Sequence, residues 1–122
     1  MKGRILVVDD ERSIVTSLVR IFQDNGYDAL GVGSAEEAIA SVEKESFDLI
    51  LLDNVLPGMS GLRAIQELRS RSTAAVVMMT GHFDMEMKKD ALLMGALDFL
   101  PKPLDIEALE RKVAEIVAGK NV

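Results

Sequence analysis

Five side chains suited to phosphate or metal chemistry follow short apolar runs of the chain. Asp9 and Asp10 follow the first run, Asp53 ends the third, Thr80 ends the fourth and Lys102 follows the fifth. Three carboxylates brought together repel one another and favour a hard divalent cation such as Mg²⁺. A carboxylate is also a nucleophile in aspartyl-phosphate chemistry. The set therefore indicates phosphoryl transfer, in which a cation and Lys102 neutralise phosphoryl oxygens and Thr80 donates a hydrogen bond.

Each of these residues, taken alone, also has an ordinary structural explanation. Asp9 and Asp10 would cap the first helix, because acidic side chains favour helix N-termini. Thr80 would simply end a strand, and Lys102 would be an exposed loop residue. Asp53 is harder to explain in this way, since a charge at the end of a buried run is costly unless it is paired. Because all of these positions are strand ends, we interpret them together as one site.

The elements that carry these side chains alternate along the chain. Continuous apolar runs rich in Val, Ile and Leu predict five strands that are covered on both faces. The runs comprise residues 5–8, 29–32, 49–52, 75–79 and 97–100. A segment with helical apolar spacing follows each run, and Ser34, Ser60 and Asp105 stand at predicted helix starts. This alternation predicts an α/β fold with a parallel sheet and right-handed crossovers.

By analogy with the common arrangement of five such units, we expect a flavodoxin-like (βα)5 doubly wound sheet with strand order 2-1-3-4-5. Ligands in such sheets bind beyond the carboxyl ends of the strands, near the point where the strand order reverses. The first and third strands are neighbours at that point, so the three carboxylates should converge there. The peptide bond between Lys102 and Pro103 can be cis or trans, and a cis bond would aim the lysine; the sequence leaves its isomer open.

Composition limits the functions open to a chain of 122 residues. The length fits one domain, and 48% apolar with 28% charged residues is typical of a globular fold. The absence of Cys excludes disulfides, thiolate metal sites and a cysteine nucleophile. A net charge of −6 and 4% aromatic residues disfavour direct nucleic-acid binding. The apolar runs are too short for a membrane span or a secretory signal, so we expect a cytoplasmic protein.

In order and spacing, these residues resemble the response-regulator receiver domain of bacterial two-component signalling. The resemblance extends over residues 5–117 and is strongest at the acid pair, in the segment DNVLPGMSG at 53–61, at Thr80, and at Phe99 before the sequence PKP. The segments 79–84 and 97–104 are most similar to receivers of enhancer-binding transcription activators of the nitrogen-regulation class. The resemblance implies that residues 1–122 form a single receiver domain.

The resemblance also implies how the site would work. Asp53 would accept a phosphoryl group from a phosphohistidine on a sensor histidine kinase. Asp10 would ligate Mg²⁺ or Mn²⁺ directly and Asp9 would help through water. The carboxylate of Asp53 and the backbone carbonyl of Val55 would be further ligands, and Lys102 would contact the phosphoryl group.

Thr80 and Phe99 would then report phosphorylation as a coupled switch pair. The surface formed by the fourth helix, fifth strand and fifth helix would change its preference for an output domain, a downstream protein or a second copy of the chain. The resemblance thus implies a regulatory domain rather than an enzyme, one that assists its own phosphoryl transfer and dephosphorylation. Its expected use is the control of transcription, without direct contact of this domain with nucleic acid or membrane.

Three other functions remain open at this stage. A phosphohydrolase of the haloacid-dehalogenase type would also use an aspartate and Mg²⁺, but it places Asp-x-Asp after its first strand. A flavin-mononucleotide carrier would need a phosphate loop rich in Ser, Thr and Gly, whereas residues 9–12 are mainly acidic. An interaction domain independent of phosphorylation would keep the same fold. We expect a receiver excised from a longer protein, with a stand-alone regulator as the alternative.

Overall fold

Strands and helices alternate in the computed structural model, which describes residues 2–119. The strands are β1 Arg4–Val8, β2 Asp28–Val32, β3 Leu49–Asp53, β4 Val55–Leu56, β5 Met59–Ser60, β6 Ala75–Thr80 and β7 Asp98–Pro101. The helices are α1 Arg12–Asp24, α2 Ala35–Lys44, α3 Gly61–Arg69, α4 Met85–Leu93 and α5 Ile106–Val117. All five predicted strands are present, and their bounds lie within one residue of the prediction. The short antiparallel pair of β4 and β5 is an addition that the sequence did not predict.

Five of the strands form one parallel sheet in the order β2-β1-β3-β6-β7. Counted over the strands of this sheet alone, the order is 2-1-3-4-5, so the predicted flavodoxin-like doubly wound arrangement is confirmed. The register pairs Val8 with Leu52 and Asp53 with Met79. The carboxyl ends of β1, β3 and β6 therefore meet at one edge of the sheet.

The central strand β3 shows why its apolar run is continuous. Ile50 and Leu52 belong to the hydrophobic cluster on the side of α2, α3 and α4. Leu49 and Leu51 belong to the cluster on the side of α1 and α5. Successive side chains of a strand point to opposite faces, so a strand covered on both faces needs apolar residues at every position. The two clusters pack against opposite faces of β3 and so fix the position of the Asp53 backbone at its end.

Three predicted capping residues stand at the N-termini of α2, α3 and α5. The side chains of Ser34, Ser60 and Asp105 accept hydrogen bonds from backbone N–H groups three residues later. Each cap satisfies one of the N–H groups that have no partner within the helix. Within residues 2–119, the helices are all too short or too polar to cross a bilayer.

Candidate functional site

The carboxyl edge of the sheet brings the predicted site residues close to one another. Asp9 follows β1, while Asp53 and Thr80 are the last residues of β3 and β6. Lys102 follows β7, and its backbone N–H donates to the carbonyl of Thr80 at 2.6 Å. The peptide bond between Lys102 and Pro103, whose isomer the sequence left open, is cis.

Three carboxylates form an acidic cluster at this edge. Oxygen atoms of Asp9, Asp10 and Asp53 all lie within 4.8 Å of one another. Asp10 is exposed, whereas Asp9 and Asp53 are only 1% and 5% exposed. A set of carboxylate oxygens at this spacing fits a hard divalent cation, which prefers oxygen ligands.

Lys102 supplies the positive charge that compensates the two buried carboxylates. Its Nζ lies 2.7 Å from Asp9 Oδ2 and 3.3 Å from Asp53 Oδ1. Burial lowers the pKa of Lys102, but the hydrogen bond and charge of Asp9 and the charge of Asp53 raise it more, so the net shift is upward. The amine therefore stays an ammonium at neutral pH.

The environment of Asp53 differs from that of Asp9. Burial raises the pKa of Asp53 and the Asp9 charge raises it further, while Lys102 and the backbone N–H of Val55 lower it; the net shift is upward. Both oxygens of Asp9 are engaged, Oδ1 by the Glu11 N–H at 2.9 Å and Oδ2 by Lys102. Asp53 is thus the less well compensated of the two buried carboxylates.

The loop after Asp53 is shaped by the β4–β5 hairpin. Val55 pairs with Ser60 across it, and Gly58 takes a positive φ of 81° in its turn, a conformation that glycine adopts at little cost. The Val55 side chain is exposed beside the site. The role of its carbonyl as a metal ligand stays a prediction. Asn54, which sequence reasoning did not single out, extends its Nδ2 to 3.9 Å from the Met87 sulfur of α4.

The hydroxyl of Thr80 bonds to the loop that follows it. It accepts from the N–H of His82 and donates to the carbonyl of His82, both at 3.1 Å. Phe99, on the neighbouring strand β7, is buried in the cluster beside α4. Sequence reasoning missed the bonds between Thr80 and His82, because a threonine at a strand end has several local partners within reach.

The chain matches the model of the family described as "Response regulator receiver domain" over residues 5–114. The chain therefore belongs to the response-regulator receiver domain family, a family of regulatory domains, and the resemblance inferred from the sequence is confirmed. Receiver domains of this family work with sensor kinases and linked output domains. Family membership disfavours the phosphohydrolase and flavin-carrier alternatives.

Two curated relatives are named as signalling or transcription proteins. The sensory transduction protein RegX3 of Mycolicibacterium smegmatis is 34% identical over 113 residues, covering 93% of this chain and 50% of that protein. The alkaline phosphatase synthesis transcriptional regulatory protein PhoP of Bacillus subtilis is 36% identical, covering 100% of this chain and 51% of that protein. The chain thus spans about half the length of these relatives.

Solved structures show the same fold over nearly the whole chain. A two-component response regulator from Clostridium difficile superimposes with a TM-score of 0.93 at 28% identity, covering 98% of both chains. NtrX from Brucella abortus, solved in complex with ADP, gives a TM-score of 0.89 at 30% identity, covering 98% of this chain and 28% of that one.

Proposed function

We propose that residues 1–122 act as a single phosphorylation-activated receiver domain in which Asp53 is the phosphoacceptor. The observation that carries this proposal is the position of Asp53 beside Asp9, Asp10 and Lys102 at the carboxyl edge of the sheet. A carboxylate oxygen of Asp53 attacks the phosphorus of a phosphohistidine on a sensor kinase. The phosphorus–nitrogen bond breaks, its electron pair returns to the imidazole, and an acyl phosphate forms on Asp53.

The donor set supports a divalent cation, Mg²⁺ or Mn²⁺, as cofactor. Asp10 and Asp53 would hold it directly, together with the backbone carbonyl of Val55. Asp9 would act through water, which agrees with the engagement of both its oxygens by Glu11 and Lys102. When bound, the cation supplies positive charge beside the transferring phosphoryl oxygens.

Lys102 and Thr80 serve the phosphorylated state of the site. The Lys102 ammonium is already 3.3 Å from Asp53, so a short movement brings it to a phosphoryl oxygen. The Thr80 hydroxyl donates to another phosphoryl oxygen after leaving the His82 carbonyl. Phosphorylation shifts the domain between two arrangements because these contacts are better in one of them. Phe99 is the aromatic partner of Thr80 in this shift.

The surface of α4, β7 and α5 carries the response to a linked output domain, a downstream protein or a second copy of the chain. The exposed apolar side chains of Met85 and Leu93 on α4, and of Leu97 immediately before β7, support this role. The names of the relatives support transcription as the process controlled. Assignment to the nitrogen-regulation class rests on segments 79–84 and 97–104 alone. We infer a cytoplasmic regulatory domain that makes no direct contact with nucleic acid or membrane. We also infer that it does not turn over an external substrate.

Intact-protein mass spectrometry after incubation with Mg²⁺ and acetyl phosphate tests the proposal. We expect one added phosphoryl group, absent from Asp53→Asn and from a sample treated with a chelator. Asp98→Asn, which alters a carboxylate on β7 outside the acidic cluster, is the matched control and should be phosphorylated. No addition to the unaltered chain with several donors would overturn the mechanism and favour signalling by binding alone.

A further inference from the structure

The edge strand β2 has a glycine in its interior, at the point where α1 passes over it. A Cβ atom on Gly31 would overlap with Cγ1 of Val15 and would lie 3.2 Å from Cγ2 of Val19, and both valines belong to α1. The φ angle of Gly31 is not positive, so alanine can adopt the same backbone conformation. A glycine inside a strand weakens it and often marks a close approach of other atoms. Gly31 therefore serves the close approach of α1 and not an unusual backbone conformation.

Val15 belongs to the first turns of α1, close to the acidic cluster. Its backbone N–H donates to the carbonyl of Glu11 at 3.2 Å, and the Glu11 N–H donates to Asp9 Oδ1 at 2.9 Å. Asp10 stands between Asp9 and Glu11 and is exposed. The contact of Val15 with Gly31 lines the same surface cavity as the two aspartates. The position of Asp10 therefore depends on where α1 lies against β2.

The two aspartates are held by different elements. Asp9 is attached to β2, because its N–H donates to the carbonyl of Val32 at 3.2 Å, and its carboxylate is bound by Lys102. Asp10 instead follows the start of α1. Gly31 precedes Val32 on β2 and faces α1. It therefore sets the separation between the strand that fixes Asp9 and the helix whose start positions Asp10.

We propose that Gly31 is a positioning residue for the divalent cation, because its lack of a side chain lets α1 lie close enough to β2 for Asp10 to share the cation with Asp53. This inference rests on the proposed function, since it takes Asp10 and Asp53 as the direct metal ligands. The oxygen atoms of the acidic cluster lie within 4.8 Å of one another only while α1 keeps this place.

The substitution Gly31→Ala should move α1 outward. The new methyl group would overlap with Val15, whose β-branched side chain has one strongly preferred rotamer in a helix and cannot turn aside at little cost. Carbon atoms in contact lie about 3.5–4.0 Å apart, so the first turns of α1 must shift by about 1 Å or more. The shift carries Asp10 with it and changes the spacing of the metal ligands.

A titration with magnesium chloride, followed by the backbone amide NMR signals of isotope-labelled protein, tests the role of Gly31. In the unaltered protein, the amides of residues 9–12 should shift with one Mg²⁺ dissociation constant. In Gly31→Ala this constant should rise about tenfold, as is typical when a residue that orients metal ligands is changed. Val15→Ala removes both γ carbons of Val15, so Gly31→Ala/Val15→Ala should bring the constant back close to that of the unaltered protein.

Gly3→Ala is the matched control, because it crowds a helix at the opposite end of β1. A Cβ atom on Gly3 would lie 2.5 Å from Cγ1 of Val117, the last residue of α5. Both single glycine variants should lower the midpoint of urea unfolding, whereas only Gly31→Ala should weaken Mg²⁺ binding. Equal losses of Mg²⁺ affinity in the two variants would show that Gly31 acts through stability alone and would overturn the proposal.

The Val15→Ala background answers the same question if Gly31→Ala alone does not fold. In that background Gly31→Ala should keep the Mg²⁺ affinity and the larger Gly31→Val should lower it, and equal affinities would overturn the proposal.

The unaltered chain separates this inference from the proposed function. Equal Mg²⁺ affinities of the unaltered chain and Gly31→Ala refute the role of Gly31 alone. Absence of Mg²⁺ binding by the unaltered chain refutes the metal ligands of the proposed function, and the positioning role with them.

Discussion

Replacing Lys102 by methionine should destabilise the domain at neutral pH. The substitution keeps most of the apolar stem and removes the ammonium that lies 2.7 Å from Asp9 and 3.3 Å from Asp53. Both carboxylates are buried, so the loss leaves two negative charges facing each other with little access to water. Breaking a buried ion pair on one side costs about 3–5 kcal/mol. Because the Lys102 side chain is 17% exposed and Asp10 opens to solvent, we expect a loss of about 2–4 kcal/mol.

The loss should depend on pH in a defined direction. Without Lys102, burial and the Asp9 charge act unopposed by the ammonium, and the pKa of Asp53 rises further above its ordinary value of 3.8. A carboxyl whose folded pKa is raised loses stability as pH rises from the unfolded pKa through the folded pKa. Below that window the group is neutral in both states. The difference between the variant and the unaltered protein should therefore shrink as pH falls from 7 towards 4.

Urea unfolding followed by circular dichroism at several pH values measures this difference. The double variant Lys102→Met/Asp53→Asn provides an internal check. Because it removes one of the two facing charges, it should recover most of the unfolding free energy that Lys102→Met loses. Lys112→Met, which breaks the more exposed pair with Asp98, is the matched control. An unfolding free energy at pH 7 equal to that of the unaltered protein would refute the electrostatic account of this site.

Three further outcomes follow from other contacts. Asp53→Asn alone should raise the unfolding free energy at pH 7, because it removes a buried charge whose pKa is raised by burial and by the Asp9 charge. Lower stability in urea unfolding would contradict this. Leu51→Ala should lower the free energy of unfolding in urea by about 2–5 kcal/mol, since Leu51 is fully buried in the centre of the sheet. A loss near zero would contradict this and would mean that the surrounding side chains close the cavity. Burial raises the pKa of Asp98, but hydrogen bonds from Lys112 and the Phe99 N–H lower it more. Lys112→Met should thus cost under about 1 kcal/mol at pH 7, and the cost should vanish as pH falls below the unfolded value near 3.8; a cost that grows with acidity would contradict the pairing.

The fold was predictable because its signals are local and repeated. The run 49–52 is apolar at every position, which suits a strand covered on both faces. Ser34, Ser60 and Asp105 cap helices at the expected places. The convergence of Asp9 and Asp53 followed from strand order, which is a property of the fold class. Apolar runs, capping residues and strand order can be inferred without knowing where each side chain points.

The parts that could not be predicted depend on the choice between competing partners. Lys102 lies closer to Asp9 than to Asp53, although the sequence offers both carboxylates equally. Thr80 bonds to His82 of its own loop rather than to a carboxylate. The partners of Lys102 and Thr80 depend on differences of a few tenths of an ångström in distance and on burial. The spacing of residues along the chain specifies neither partner.

The ion pair of Asp9 and Lys102 joins residues 93 positions apart in a chain of 122 residues. The site draws on the ends of β1, β3, β6 and β7, so it exists only after the last sheet strand has docked. Bringing residues so distant in sequence together costs loop-closure entropy, which the packing of the intervening elements must offset. Under the proposed function, the phosphoacceptor site is therefore complete only when β7 has joined the sheet. A chain that lacks β7 would carry Asp53 without the ammonium beside it, and under the proposed function phosphoryl transfer to that chain would lose the charge of Lys102.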